Sequence, residues 1–372
     1  MAATAAAVVA LAACGSKSSN GGNTTPATQP APNTSSQPAG GGSTTPSSTG
    51  NALKACMVLD TGGIDDKSFN ETSYAGMQAA KKDNPNISIS YVPSNSGNDY
   101  TPNLNAEVGK KCDPVIAVGG LMEQNVEKAA KANPKTHFAE VDAPSTAPNV
   151  YGMQFNTAQG AFLGGYLAAG MTKTGKVATW GGINIPPVTI YMDGFWEGVQ
   201  YYNKQNNKNV QVLGWNEKNQ KGGVFANSFT DQNKGKQISQ SLIQQGADII
   251  FPVAGGAGLG AGAAAQASNG QANVIWVDTD GCVSAAQYCK YFITSVTKNL
   301  AGAVKTYLDK AASGSWPKGS YIGDLANNGT GLAPYHDFQS KVPASLTSQI
   351  NKVKQDIISG KIKITSPSQP KS

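Results

Sequence analysis

The sequence predicts an α/β chain folded as two doubly wound parallel-sheet lobes joined by a hinge. Three observations predict it. Short apolar runs of buried-strand type alternate with helical segments along most of the chain, the signature of parallel strands joined by right-handed crossovers. The alternation comes in two successive series of about a hundred residues each, the size of one open sheet. Strand after strand ends in Gly or Asp, as in Gly119-Gly120, Asp142, Gly181-Gly182, Gly255-Gly256 and Asp278; ligands of open parallel sheets bind beyond those carboxyl ends.

In the first series, Ala55–Leu59 is an apolar run followed by the turn Thr61-Gly62-Gly63, and Ser68 to Lys81 has helical character. Ile87–Val92 alternates as a strand does, and Val115–Gly119 is a buried-type strand. Glu123–Ala132 is predicted helical and Thr136–Val141 a strand. The Ala/Gly/Leu-rich stretch Gly160–Met171 is a helix leading to the strand Lys176–Trp180. In the second series, helices over Tyr191–Asn203, Gly235–Gln245 and Gly260–Ala267 separate strands at Val210–Trp215, Asp248–Val253 and Val274–Val277. Residues 53–155 with about 279–317 are expected in the first lobe, and 156–278 with about 318–364 in the second. Chain crossings near Phe155, around Asp278 to Val296 and near Lys318 would form the hinge, with 365–372 a tail.

Ahead of these lobes, residues 15–52 are Ser, Thr, Gly, Pro, Asn, Gln and Ala with few bulky apolar side chains. Such a segment buries too little surface to offset its ordering entropy and is expected to be a disordered tether. Residues 1–14 form a short apolar stretch closing on Leu11-Ala12-Ala13-Cys14. The ending reads as a secretory signal and resembles the lipobox, in which diacylglycerol is attached to the cysteine. That resemblance implies a lipid anchor on Cys14 at the extracytoplasmic face of a cell membrane. Met1 to Val9 carries no Lys or Arg, which predicts a true start further upstream. No later stretch is apolar for the length a membrane span needs.

The formal net charge is +6, and every basic residue is Lys. Nucleic-acid readers and phosphate clamps rely on the bidentate fork of Arg, so its absence speaks against nucleic acid and favours an uncharged ligand over a phosphorylated one. Cys56, Cys112, Cys282 and Cys289 are an even set in an exported chain. The pairs Cys56–Cys112 and Cys282–Cys289 are favoured over zinc binding, because no CxxC spacing occurs and His137 and His336 stand isolated in the sequence.

The densest block is Asp60-Thr61-Gly62-Gly63-Ile64-Asp65-Asp66-Lys67-Ser68-Phe69-Asn70, where a strand turns through two glycines into a helix. Ser68 is the expected N-cap, with Asp66 near the positive end of the helix dipole. Asn70 and Tyr74 lie four apart, on one helical face. An amide that pairs with a ring edge beside an aromatic that stacks suits a flat heterocycle, and ordinary core packing suits the same pattern equally well. Gly258-Leu259-Gly260-Ala261-Gly262-Ala263 followed by Asp278 matches a dinucleotide fingerprint. No catalytic pair accompanies it, so a helix start lying close to a neighbour is the preferred reading. No GxSxG occurs and neither His has an evident Ser or Cys partner; no enzyme, cofactor or metal is expected.

From about Ala55 to Ile364 the chain resembles the basic membrane protein family of bacterial lipoproteins, whose clearest members are purine nucleoside receptors feeding ABC transporters. The resemblance rests on the Asp60–Asn70 block, Met171-Thr172-Lys173-Thr174-Gly175-Lys176, Gly181-Gly182-Ile183-Asn184-Ile185-Pro186, Gly246-Ala247-Asp248-Ile249-Ile250-Phe251, Val277-Asp278-Thr279-Asp280 and Gly331-Leu332-Ala333-Pro334-Tyr335. It implies a type I periplasmic-binding-protein-like fold and a monomer that holds inosine, guanosine or adenosine between its lobes and docks on permease subunits. It also implies roles. Asn70 and Asp142 would meet the base edge, supported by Asp66. Tyr74 and Phe229 would sandwich the ring. Asp278 and Lys298 would take the ribose hydroxyls, with Gly255 and Gly256 admitting the backbone closely. A sugar receptor on the same fold and a surface adhesin or sensor are the alternatives.

Overall fold

The computed structural model describes residues 50–370; Cys14 and most of the tether lie outside them. The first series gives β1 (Leu53–Leu59), α1 (Phe69–Asp83), β2 (Ile87–Val92), α2 (Tyr100–Gly109), β3 (Val115–Val118), α3 (Glu123–Ala132), β4 (Phe138–Val141) and β5 (Val150–Phe155). The chain continues through α4 (Thr157–Met171), β6 (Lys176–Gly181), α5 (Pro186–Asn206), β7 (Gln211–Leu213), α6 (Gln232–Gln244), β8 (Ile249–Val253), α7 (Leu259–Ala267), β9 (Asn273–Asp278), α8 (Gly281–Ser284) and β10 (Phe292–Lys298). It closes with α9 (Leu300–Ala312), β11 (Ser320–Gly323), β12 (Thr330–Leu332) and α10 (Ala344–Ile358).

Two six-stranded sheets result, ordered β11-β5-β4-β3-β1-β2 and β12-β10-β9-β8-β6-β7. The first is parallel throughout; in the second only β12 runs antiparallel, against β10. Both reverse strand order at their first strand, β1 or β6, which places a topological switch point at the carboxyl edge of each sheet. Period-two side chains cover both faces of each sheet. In β1, Ala55, Met57 and Leu59 join one core cluster while Cys56 and Val58 join the other. In β8, Ile249, Phe251 and Val253 face one cluster and Ile250 its opposite.

The lobe boundaries differ from those expected. The chain does not leave the second lobe after Asp278, because Phe292, Ile293 and Val296 bury β10 beside β9. The second crossing therefore falls between Lys298 and Leu300, after which Leu300, Val304, Tyr307 and Leu308 of α9 bury against the first sheet. The third crossing shifts from near Lys318 to Gly323–Thr330, since β11 extends the first sheet and β12 the second. Asn156 carries the first. The crossings lie side by side: Asn156 N–H donates to Gly323 O at 2.7 Å and Asn299 N–H to Gly329 O at 2.9 Å.

Small residues set the tightest packing. A Cβ at Gly198 of α5 would lie 2.0 Å from Phe162 O, and one at Gly165 of α4 would lie 2.0 Å from Phe195 O. The two helices thus meet backbone to backbone. At Gly260 a Cβ would lie 2.3 Å from Gln232 O, so the dinucleotide-like glycine admits α6 against α7. Cys56 is bonded to Cys112, tying β1 to the turn after α2, and Cys282 to Cys289, closing the loop ahead of β10. No helix among the described residues is long and apolar enough to cross a membrane.

Candidate functional site

The carboxyl edges of both sheets line one cavity, the place where ligands of open parallel sheets bind. The first lobe contributes Asp60, Asp66, Phe69, Asn70, Gly119, Gly120 and Asp142. The second contributes Ile185, Pro187, Val188, Tyr191, Phe229, Ala254, Gly255, Asp278 and Lys298.

Asp66 builds the first wall. Its carboxylate accepts from the N–H groups of Ser68 (3.0 Å), Asn70 (2.7 Å) and Glu71 (3.1 Å), satisfying donors that the first turn of α1 would leave open. Asp66, not Ser68, is thus the capping side chain. Burial nevertheless raises its pKa to about 7, against the opposing pull of those donors. The Ser68 hydroxyl instead donates across the cleft to Asp278 Oδ2 at 2.6 Å. Asn70 Nδ2 donates to Asp60 Oδ1 at 2.8 Å, which orients the amide. Asn70 Oδ1 is buried and has no protein partner. Asp60 also accepts from Gly62 N–H at 2.9 Å, and burial raises its pKa despite the Asn70 bond.

Asp142 follows β4 and Asp278 ends β9, equivalent strands of the two sheets. Both adopt the left-handed region, with φ of 66° in each case, which Asp tolerates better than most residues. Lys298 bridges them, its Nζ 2.7 Å from Asp142 Oδ2 and 3.8 Å from Asp278 Oδ1. The ammonium also lies 4.9 Å from the Phe69 ring centroid and 5.3 Å from that of Tyr191. Tyr191 donates to Asp278 Oδ1 at 2.7 Å. Burial raises the pKa of Asp142 against the opposing charge of Lys298. Burial and the neighbouring Asp278 carboxylate lift Tyr191 well above the usual phenol value. A neutral hydroxyl donor and an ammonium thus converge on two carboxylates inside a largely apolar cavity.

Seven of the nine expected ligand residues line this cavity: Asp66, Asn70, Asp142, Phe229, Gly255, Asp278 and Lys298. Tyr74 does not. It lies one helical turn, about 5.4 Å, further from the end of α1 that meets the cleft, and its ring packs edge-on against Tyr91 at 4.9 Å. Phe69 lines the cavity instead. Gly256 also stays outside, buried beneath the cavity between Phe229 O and the Asp66 backbone. Sequence reasoning misses Phe69 and Tyr191. Phe69 is legible as the neighbour of Asn70 at the very start of the helix; Tyr191 reads in sequence only as the start of a helix that in fact begins at Pro186.

This two-lobe architecture, with one cavity between the carboxyl edges of paired sheets, is that of the type I solute-binding proteins. A solved ABC transporter solute-binding protein from Aeropyrum pernix superposes with a TM-score of 0.76 at 24% identity, over 85% of this chain and 94% of its own. Residues 53–368 match the family described as "ABC transporter substrate-binding protein PnrA-like", and the chain belongs to that family. It is 30% identical to the "ABC transporter nucleoside-binding protein BmpA" of Lactococcus lactis, across 84% of this chain and 89% of that protein. It is 32% identical to the "CD4+ T-cell-stimulating antigen" of Listeria monocytogenes, across 84% and 88%.

Proposed function

We propose that this chain captures purine nucleosides outside the cell and hands them to an ABC permease, held to the membrane by a lipid on Cys14. The observation that carries the reading is Asn70. Its amide nitrogen is committed to Asp60, so the buried Oδ1, with no protein partner, is an acceptor waiting for an N–H of the base. Phe69 and Phe229 supply the apolar faces on which a purine stacks. Asp278 and Lys298 offer an acceptor and a donor close together, the pair a ribose diol requires. Four carboxylates against one ammonium in the cavity disfavour a phosphorylated ligand. The acids are engaged with backbone N–H groups, Ser68, Tyr191 and Lys298 rather than paired as acid and base, which supports binding without turnover.

A lipid anchor keeps captured ligand near the permease at high effective concentration. A monomer suffices, because one chain supplies both walls. Isothermal titration of the parent with inosine, guanosine and adenosine tests the proposal, with glucose and galactose as controls. Micromolar or tighter nucleoside binding is expected; sugar binding with no nucleoside heat would overturn it.

A further inference from the structure

His336, isolated in the sequence, is not isolated in the fold. Its Nε2 lies 2.7 Å from Asp280 Oδ2, and ligand atoms of Asp280, Cys282 and His336 all lie within 4.8 Å of one another. Cys289 is bonded to Cys282, next to that set of three but not part of it. One imidazole, one carboxylate and one sulfur from two separate segments converge there. The scaffold beneath them is hydrogen-bonded together. The Ser295 hydroxyl of β10 accepts from Gly281 N–H at 2.9 Å, and its carbonyl accepts from Ala333 N–H at 2.9 Å. Thr294 Oγ1 donates to Ala333 O at 2.7 Å. A single strand therefore positions both ligand-bearing segments. Asp280 Oδ1 accepts from Cys282 N–H at 3.0 Å, which orients the carboxylate and leaves Oδ2 to face His336. His336 is exposed and Asp280 and Cys282 partly so, giving an ion a path from solvent.

We propose that reducing the Cys282–Cys289 bond frees Cys289 to join Asp280, Cys282 and His336, giving a four-ligand site for a divalent ion of the zinc class. The electrons come from a dithiol reductant, which ends as its own disulfide while Cys282 and Cys289 become thiols. Metal binding then displaces both thiol protons, and neutral His336 and the Asp280 carboxylate complete the set. Two thiolates, an imidazole and a carboxylate are a tetrahedral zinc or cobalt donor set, and the ordered backbone acts as the supporting shell. The other group of this kind among the described residues, Cys56, Glu107 and Cys112, is buried and has no His. It offers no imidazole and no path for an ion.

The test uses the chain reduced with a phosphine, desalted without oxygen and titrated with Co²⁺, then Zn²⁺. The reduced parent should bind one equivalent of Co²⁺ with the intense d–d bands and thiolate charge transfer of a tetrahedral site, and Zn²⁺ should bleach them. The oxidised chain should show neither band. His336→Ala should weaken Co²⁺ binding at least tenfold and change the spectrum. Asp280→Asn, which keeps the acceptor for Cys282 N–H, should weaken it without loss of fold. No uptake by the reduced parent would overturn the proposal. So would an unchanged spectrum and affinity in both variants, because the metal would then sit elsewhere.

Discussion

Asp278→Asn, read as the ratio of nucleoside to free-base affinity, separates ribose recognition from closure of the cleft. The replacement keeps size and one acceptor but removes the charge. In the parent, the carboxylate accepts from Ser68 Oγ at 2.6 Å and Tyr191 OH at 2.7 Å, with Lys298 Nζ at 3.8 Å. Loss of charge weakens two kinds of contact. The Ser68 bond joins the lobes, so its weakening raises the cost of closure for any ligand. Bonds to a ribose diol fall from charge-assisted to neutral, a loss of about 1–1.5 kcal/mol per bond, the difference between the two kinds. That corresponds to roughly a fivefold to tenfold weaker Kd. Because the closure cost is common to nucleoside and free base, the ratio of their affinities isolates the ribose contribution. Calorimetric titration of parent and variant with guanosine and guanine measures that ratio. The nucleoside advantage should fall by about fivefold to tenfold in the variant. A ratio equal to the parent's would refute the assignment of Asp278 to the ribose, even if both affinities fell.

Phe69→Ala should weaken nucleoside binding by about 1–3 kcal/mol, the range for base stacking on an aromatic ring, whereas Tyr74→Ala should leave Kd within about twofold; fluorescence titration of the pair decides between the two rings. Gly198→Ala should destabilise the second lobe by about 1–3 kcal/mol or more, since its Cβ would fall 2.0 Å from Phe162 O, and a denaturant midpoint reports it. Glu140 is buried in β4 with both carboxylate oxygens unpartnered, and burial holds its pKa well above the usual value. A folded-state pKa raised in this way favours the fold below the unfolded value and costs stability as pH rises. Glu140→Gln should therefore match the parent near pH 4 and exceed it near pH 8 by about 1–3 kcal/mol, read from thermal unfolding at the two pH values.

The parallel sheets are legible because buried strands read as continuous apolar runs, as in Val115–Val118 and Ile249–Val253. The lobe boundaries are less so. Phe292–Lys298 carries the same local pattern whichever sheet it joins, and only its pairing with β9 assigns it. The site's acids are legible through their position after strands, yet their partners are not. Ser68 lies 210 residues from Asp278 in sequence and reads locally as a helix cap, although the Asp66 carboxylate fills that position. Tyr74 is misplaced because helical periodicity gives the face of a side chain but not its depth along the axis. His336 reads as solitary and Cys282 only as the partner of Cys289, since nothing local to either signals that β10 brings them together.

Crystals of the chain grown with inosine test most directly whether a nucleoside closes the cleft with its base at Asn70 and its ribose at Asp278 and Lys298. The expected result is a purine ring between Phe69 and Phe229, with a ring N–H within hydrogen-bonding distance of Asn70 Oδ1 and the ribose diol on Asp278. Inosine bound with the ribose towards Asn70, or outside the cavity between the lobes, would contradict it.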